Sequence, residues 1–143
     1  MRINEIITRD PEVIRPDAVL VDAAQKMKSF DIGTLPVCEG DRLVGMISDR
    51  DIMVRCVAQN HDPKTARVHE VMTPEVVYCF DDEDVKSVAK KMEEKQVRRL
   101  PVLNRENHLV GIVSLGDLAV RTGKGKLAGE VLERVSERAR SRS

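Results

Sequence analysis

The chain has 143 residues, 24 lysines and arginines against 24 aspartates and glutamates, three cysteines, and only three aromatic residues, Phe30, Tyr78 and Phe80. That length suits one ordinary domain burying roughly 70% of its unfolded surface and excludes a multidomain enzyme. A formal charge of zero removes the whole-molecule drive towards nucleic acid or an anionic membrane, and so few rings leave no platform for stacking bases.

From the N-terminus, residues 1–13 carry Arg2, Glu5, Arg9, Asp10 and Glu12 without a long apolar run, unlike a signal peptide. No stretch approaches the roughly 20 apolar residues of a membrane span, so a soluble, cytoplasmic protein is expected. A short strand is predicted at 12–15, followed by Asp17 as a helix starter. A helix over 20–30 then places Leu20, Ala24 and Met27 on one face. Strands at 34–38 and 43–47 are joined by a polar turn, and a helix begins at Ser48. Asn60, Asp62 and Pro63 mark 59–67 as a linker.

The same order then returns. A strand at 76–80 leads through Asp81, Asp82 and Glu83 to a helix over 85–95 with Val85, Val88, Ala89 and Met92 on one face. Strands at 100–103 and 109–113 follow, then a helix from Ser114. Self-similarity underlies this. Ile3-Asn4-Glu5-Ile6-Ile7-Thr8 reappears as Val68-His69-Glu70-Val71-Met72-Thr73, and Leu35-Pro36-Val37 as Leu100-Pro101-Val102, at an offset of 65. One residue added in the hairpin turn makes the offset 66 for Leu43-Val44-Gly45, Ser48 and Asp51, which map to Leu109-Val110-Gly111, Ser114 and Asp117. The expected division is repeat 1 at 1–58, linker at 59–67, repeat 2 at 68–121 and a basic tail at 122–143. Each repeat reads strand-helix-strand-strand-helix in a mixed α/β (α+β) fold, too small to bury both faces of its sheet alone. The two repeats are therefore expected to pack together about an approximate two-fold axis. In the tail, Leu127, Val131, Val135 and Ala139 recur every four residues, predicting a solvated helix that caps the fold or a dimer before a frayed basic end.

Cys38, Cys56 and Cys79 are odd in number and sit in apolar segments, as buried free thiols do. His61, His69 and His108 share no helix face and no Cys-x-x-Cys partner, so no metal site is expected. Nor is a catalytic residue: Ser48 lies in no nucleophile elbow, and no histidine or carboxylate pair is placed as an acid/base couple. Gly123-Lys124-Gly125-Lys126-Leu127-Ala128 imitates a dinucleotide fingerprint but follows a predicted helix instead of a strand, so it is discarded.

Two motifs carry binding chemistry. Gly45-Met46-Ile47-Ser48-Asp49-Arg50-Asp51 and Gly111-Ile112-Val113-Ser114-Leu115-Gly116-Asp117 each set Ser-x-x-Asp at a helix start. This is a relative of the capping box, and the same arrangement offers N–H groups to phosphate and a carboxylate to a ribose cis-diol. Both readings stand at this point. At the strand starts, Pro36 and Pro101 imply an edge or bulge with free backbone groups, and Arg98 and Arg99 are suited to phosphate, where the first copy has Gly33 and Thr34.

With Thr8 and Thr73 leading each copy, the Leu-Pro-Val strands and both Gly-h-h-Ser-x-x-Asp segments, residues 1–121 resemble a tandem of CBS domains, the Bateman module named after cystathionine β-synthase. The resemblance is to small stand-alone pairs of this type. It implies a non-catalytic sensor that binds an adenosine-containing ligand, such as AMP, ADP, ATP, NAD or S-adenosylmethionine, in clefts between the repeats. It implies adenine against Val13, Ile14, Leu35, Pro36 and Met46 in one copy and against Val76, Val77, Leu100, Pro101 and Ile112 in the other. Asp51 and Asp117 match the ribose-binding acids, Ser48 and Ser114 the nearby hydroxyls. Arg98, Arg99 and Arg50 are expected to neutralise phosphate on the ligand held by Asp51. The Asp117 cleft meets Gly33 and Thr34 and is expected to prefer a less anionic ligand or stay empty. A homodimer and an unidentified regulated protein are the implied partners. The competing readings are an interaction module without ligand, and nucleic-acid binding through the tail.

Overall fold

The computed structural model describes residues 1–121 and 125–141. The chain forms two compact units: a middle unit of residues 12–76, and a terminal unit that joins residues 1–11 to 77–143.

In the middle unit, α1 (Leu20–Phe30) packs on a hairpin of β2 (Thr34–Glu39) and β3 (Arg42–Ser48), which runs into α2 (Asp49–Arg55). The hairpin pairs Thr34 with Ser48, Leu35 with Ile47 and Pro36 with Met46, and a bulge follows Val37. The strand expected at 12–15 is a single parallel bridge between Ile14 and Val37. Pro11 and Pro16 bracket it, and neither has an N–H to extend a ladder. Asp17 does not start α1. The first helical N–H groups find carbonyls in the predicted linker instead, Leu20 on Ala66 at 2.9 Å and Val21 on Pro63 at 3.0 Å. The buried face of α1 is Leu20, Ala23 and Met27, while Ala24, expected inside, is exposed. The one-turn helix α3 (Val68–Val71) completes this core with Val68 and Val71.

In the terminal unit, β1 (Thr8–Arg9), β4 (Cys79–Phe80), β5 (Arg99–Leu103) and β6 (Leu109–Ser114) form one sheet in the order β1-β6-β5-β4. The strand predicted at 76–80 is shortened to Cys79–Phe80, parallel to β5. Helices α4 (Val85–Lys95), α5 (Leu115–Arg121) and α6 (Gly125–Ser141) cover the sheet's apolar side chains. Asp84, one residue beyond the expected acidic run, caps α4 by accepting from the Lys86 N–H at 2.9 Å.

The tail forms the expected helix and caps the terminal unit through its apolar stripe, its polar face staying exposed. α6 packs against α4 and α5, with Ala128, Val131 and Val135 buried in the same cluster as Val88, Met92 and Leu118. Ala89 of α4 is buried in that cluster, whereas its repeat counterpart Ala24 is exposed. The Ala139 side chain and the end of the chain at 142–143, expected to fray, lie outside the described residues, as do 122–124.

The compact units run across the sequence repeats. Thr8 and Arg9, leading the first copy, pair with Ile112 and Gly111 of the second. Thr73, leading the second, exchanges backbone hydrogen bonds of 3.0 and 2.8 Å with Met46 of the first. This explains the glycine in each Gly-h-h-Ser segment, because the leading segment lies directly over it. A Cβ on Gly45 would stand 3.0 Å from the Thr73 carbonyl oxygen, and one on Gly111 only 2.7 Å from that of Thr8.

Candidate functional site

Both Ser-x-x-Asp segments fold into the same arrangement. Ser48 ends β3 with extended backbone, so its hydroxyl accepts from the Asp51 N–H at 3.1 Å while Asp51 Oδ2 accepts from the Ser48 N–H at 2.9 Å. Ser114 and Asp117 repeat this at 3.1 and 2.8 Å. The capping box is therefore formed twice. It occupies one carboxylate oxygen of each aspartate and leaves Oδ1 to face elsewhere.

Beside each Oδ1 stands an arginine that sequence reasoning overlooked. Arg55 Nε lies 3.9 Å from Asp51, and Arg121 Nε lies 3.8 Å from Asp117. Each guanidinium also donates to the backbone of the leading segment strapped onto its unit. Arg55 reaches the Val71 carbonyl at 2.9 Å, and Arg121 reaches Ile6 and Ile7 at 3.1 Å each. Their signal was present, since they stand four residues after each acid and 66 apart. The arginine holds the acid's orientation, yet its distance is beyond a hydrogen bond, so Oδ1 keeps acceptor capacity. The two carboxylates are 17% and 19% exposed, shielded enough for a hydrogen bond to count and open enough to receive one.

The other expected residues divide by unit. Ile14 donates its N–H to the Pro36 carbonyl at 3.0 Å, and Met46 pairs with Thr73, which sets these groups around β2 and β3 in the middle unit. In the terminal unit Thr8 and Pro101 both face Ile112 across β6. Leu35 and Leu100 are wholly buried in the cores of their units. Val13 is half-buried in the middle unit, and Val76 and Val77 are half-buried at the ends of the two units. Thr34 pairs with Ser48, and Arg99 with Ser114, so each strand start lies beside the helix start of its own unit. There Gly33 accepts from the Asp49 N–H and Arg98 from the Leu115 N–H, both through the backbone at 2.9 Å. Arg50 is exposed.

The three cysteines are free and buried. Burial, with Asp41 nearby, pushes the Cys38 thiol up to about 11. Burial, with Glu83 nearby, pushes Cys79 up to about 12. A group raised this far stays protonated at pH 8, so iodoacetamide is expected to leave both thiols unmodified in the folded protein and to alkylate them in urea. Mass spectrometry of the intact chain reads the difference, and rapid native labelling of either residue would contradict it.

A family model described as CBS domain matches residues 3–57 and again residues 68–122. The CBS domain-containing protein YhcV of Bacillus subtilis (strain 168) is 37% identical over 134 residues, which are 94% of this chain and 94% of that one. The crystal structure of Hypoxic Response Protein I with two coordinated zinc ions superposes with a TM-score of 0.76 at 37% identity, covering 83% of this chain and 97% of that one. The CBS domain pair of protein MJ0100, in complex with 5-methylthioadenosine and S-adenosyl-L-methionine, superposes with a TM-score of 0.72 at 29% identity and the same coverages, 83% and 97%. The repeat, the strapped leading segments and the doubled Ser-Asp box agree with these matches: the chain belongs to the CBS-domain family and carries the domain twice in tandem.

Proposed function

We propose that this CBS pair is a regulatory module that binds an adenosine-containing ligand, with Asp51 and Asp117 as ribose acceptors. The observation that carries the reading is the aspartate held the same way in both units, one oxygen fixed by a serine N–H and the other left to accept. A cis-diol brings two O–H donors to such an oxygen pair. Ile14, Pro36 and Met46 in the middle unit, and Val77, Pro101 and Ile112 in the terminal unit, provide the aliphatic and backbone surroundings that adenine requires in a chain poor in rings. The adenosine derivatives bound to the MJ0100 pair support the ligand class. Homodimerisation and a separate protein that reads occupancy belong to the same proposal. Exposed Met53, Val54 and Val57 give the middle unit an apolar surface for contact.

The test is calorimetric titration of the full chain with AMP, ATP, NAD and S-adenosylmethionine. Asn is the informative replacement, because its side-chain oxygen can still accept from the serine N–H and so retain the cap. Asp51→Asn and Asp117→Asn are each expected to weaken binding in their own unit about tenfold or more, the loss of one charge-assisted contact of about 1.5–3 kcal/mol. Wild-type affinity for every ligand in both variants, at unchanged melting temperature, sinks the reading.

A further inference from the structure

The repeat keeps one further pair of side chains that neither binding motif contains. Lys26 of α1 and Lys91 of α4 stand at the offset of 65 that relates the two copies, as do Val13 and Tyr78, and Ile14 and Cys79. Lys26 Nζ donates to the Val13 carbonyl at 2.6 Å, and Lys91 Nζ donates to the Tyr78 carbonyl at 3.0 Å. Each ammonium also lies 3.4 Å from a carboxylate, that of Glu12 or Glu83. These acids are not counterparts, since Glu12 maps to Val77 and Glu83 to Ala18. The two copies thus arrive at the same lysine-to-carbonyl contact with acids drawn from different places.

The sheets explain why the contact recurs. β4 lies at the edge of its sheet with Cys79 paired to Val102, and Ile14 bridges Val37 in the same way. An edge segment turns alternate carbonyls away from its neighbour, and among the described residues no backbone N–H reaches the Val13 or Tyr78 oxygen. The lysine stands in for the absent strand. Both lysines are half-buried, so the charge-assisted bond is shielded from competing water.

The Val13 carbonyl and the Ile14 N–H belong to one rigid peptide plane. Lys26 holds its oxygen, and its N–H donates to the Pro36 carbonyl at 3.0 Å. Few other bonds fix this segment, because Pro11 and Pro16 bracket it, and the Cys38 N–H donating to the Ile14 carbonyl at 2.9 Å is the next one along β2. Tilting the plane would shift Ile14 against Pro36. In the terminal unit the corresponding plane joins Tyr78 to Cys79, directly after Val77.

We propose that Lys26 and Lys91 are positioning residues for the ligand, each locking the peptide that sets the adenine-facing edge of its unit. The inference rests on the adenosine reading and gives neither lysine a contact with the ligand. Each acts through the backbone, since an edge already held in place binds more tightly than one the ligand must order.

The test is a nitrogen-15 NMR titration of the full chain with AMP and with S-adenosylmethionine, read at Met46 for the middle unit and at Ile112 for the terminal unit. Lys26→Met keeps the apolar stem and removes the donor. It is expected to speed hydrogen exchange of the Ile14 amide and to weaken binding at Met46 about threefold or more, with the melting temperature and binding at Ile112 unchanged. Lys91→Met should do the same at Cys79 and Ile112. Lys26→Arg, which restores a donor, should recover exchange and affinity, and Lys28→Met, on the exposed face of α1, should disturb neither. Unaltered Ile14 exchange in Lys26→Met, an affinity loss that follows a lowered melting temperature, or no recovery in Lys26→Arg would each overturn the proposal, as would failure of both ligands to bind the wild type. Asp51→Asn separates the two readings. If it weakens binding at Met46 while Lys26→Met does not, the lysine inference fails alone, and if neither variant weakens it, the adenosine reading fails with it.

Discussion

Val131→Asp is expected to unfold the terminal unit at temperatures where the wild type is fully folded, while Glu133→Ala, on the exposed face of α6, changes the melting temperature little. Val131 is wholly buried among Val88, Met92, Leu118 and the other residues of the terminal core. An aspartate there has no partner charge, and burying an unpaired carboxylate costs several kcal/mol against a total stability of about 5–15 kcal/mol. A helix resting loosely on the surface would instead predict an effect within about 0.5 kcal/mol. The two expectations differ by so much that a single circular-dichroism melt separates them. A wild-type melt for Val131→Asp would return α6 to the solvent.

Gly111→Ala is expected to destabilise the protein more than Gly45→Ala, although the two glycines hold the same place in the repeat. At Gly111 the new methyl would meet the Thr8 carbonyl oxygen at 2.7 Å and Ile7 Cδ1 at 2.8 Å. Thr8 is fixed by its pairing with Ile112, so relief requires β1 to lift from β6. At Gly45 the closest atom is Met72 Sδ at 2.6 Å, the far part of a flexible side chain, and the Thr73 oxygen stands back at 3.0 Å. Overpacking costs of about 1–3 kcal/mol place Gly45→Ala at the lower end and Gly111→Ala at or above the upper end. Urea denaturation of both variants gives the order, and equal or reversed losses would show that β1 is free to move.

The helices α1 and α4 were legible to the residue, because each has a sustained apolar period and stops at a left-handed residue, Asp31 or Gln96. The phase of α1 was less so. Leu20, Ala23, Ala24 and Met27 all satisfy the helical period, and only the covering elements decide which alanine is inside. The stripe of α6 was legible too, as Leu127, Val131 and Val135, but what covers it was not, because that depends on α4 and α5 lying beside it. The Ser-Asp box was readable as a motif. Its free oxygen was not, because that depends on where Arg55 and Arg121 reach, and they are anchored by carbonyls far away in the sequence. The exchange of leading segments had one local trace, the glycines at 45 and 111, but a glycine does not name the strand that crosses it.

That exchange also sets an order of events during synthesis. The hydrogen bonds described for the middle unit join residues within 12–76, all of which are synthesised well before Ile112. Thr8 must wait for Ile112, 104 residues later, before β1 has a partner. Long-range pairing of this kind is slow to close, and the apolar leading residues Ile3, Ile6 and Ile7 stay without their core in the meantime. The vulnerable interval of this protein's biosynthesis therefore belongs to residues 3–9, which wait for partners made about a hundred residues later.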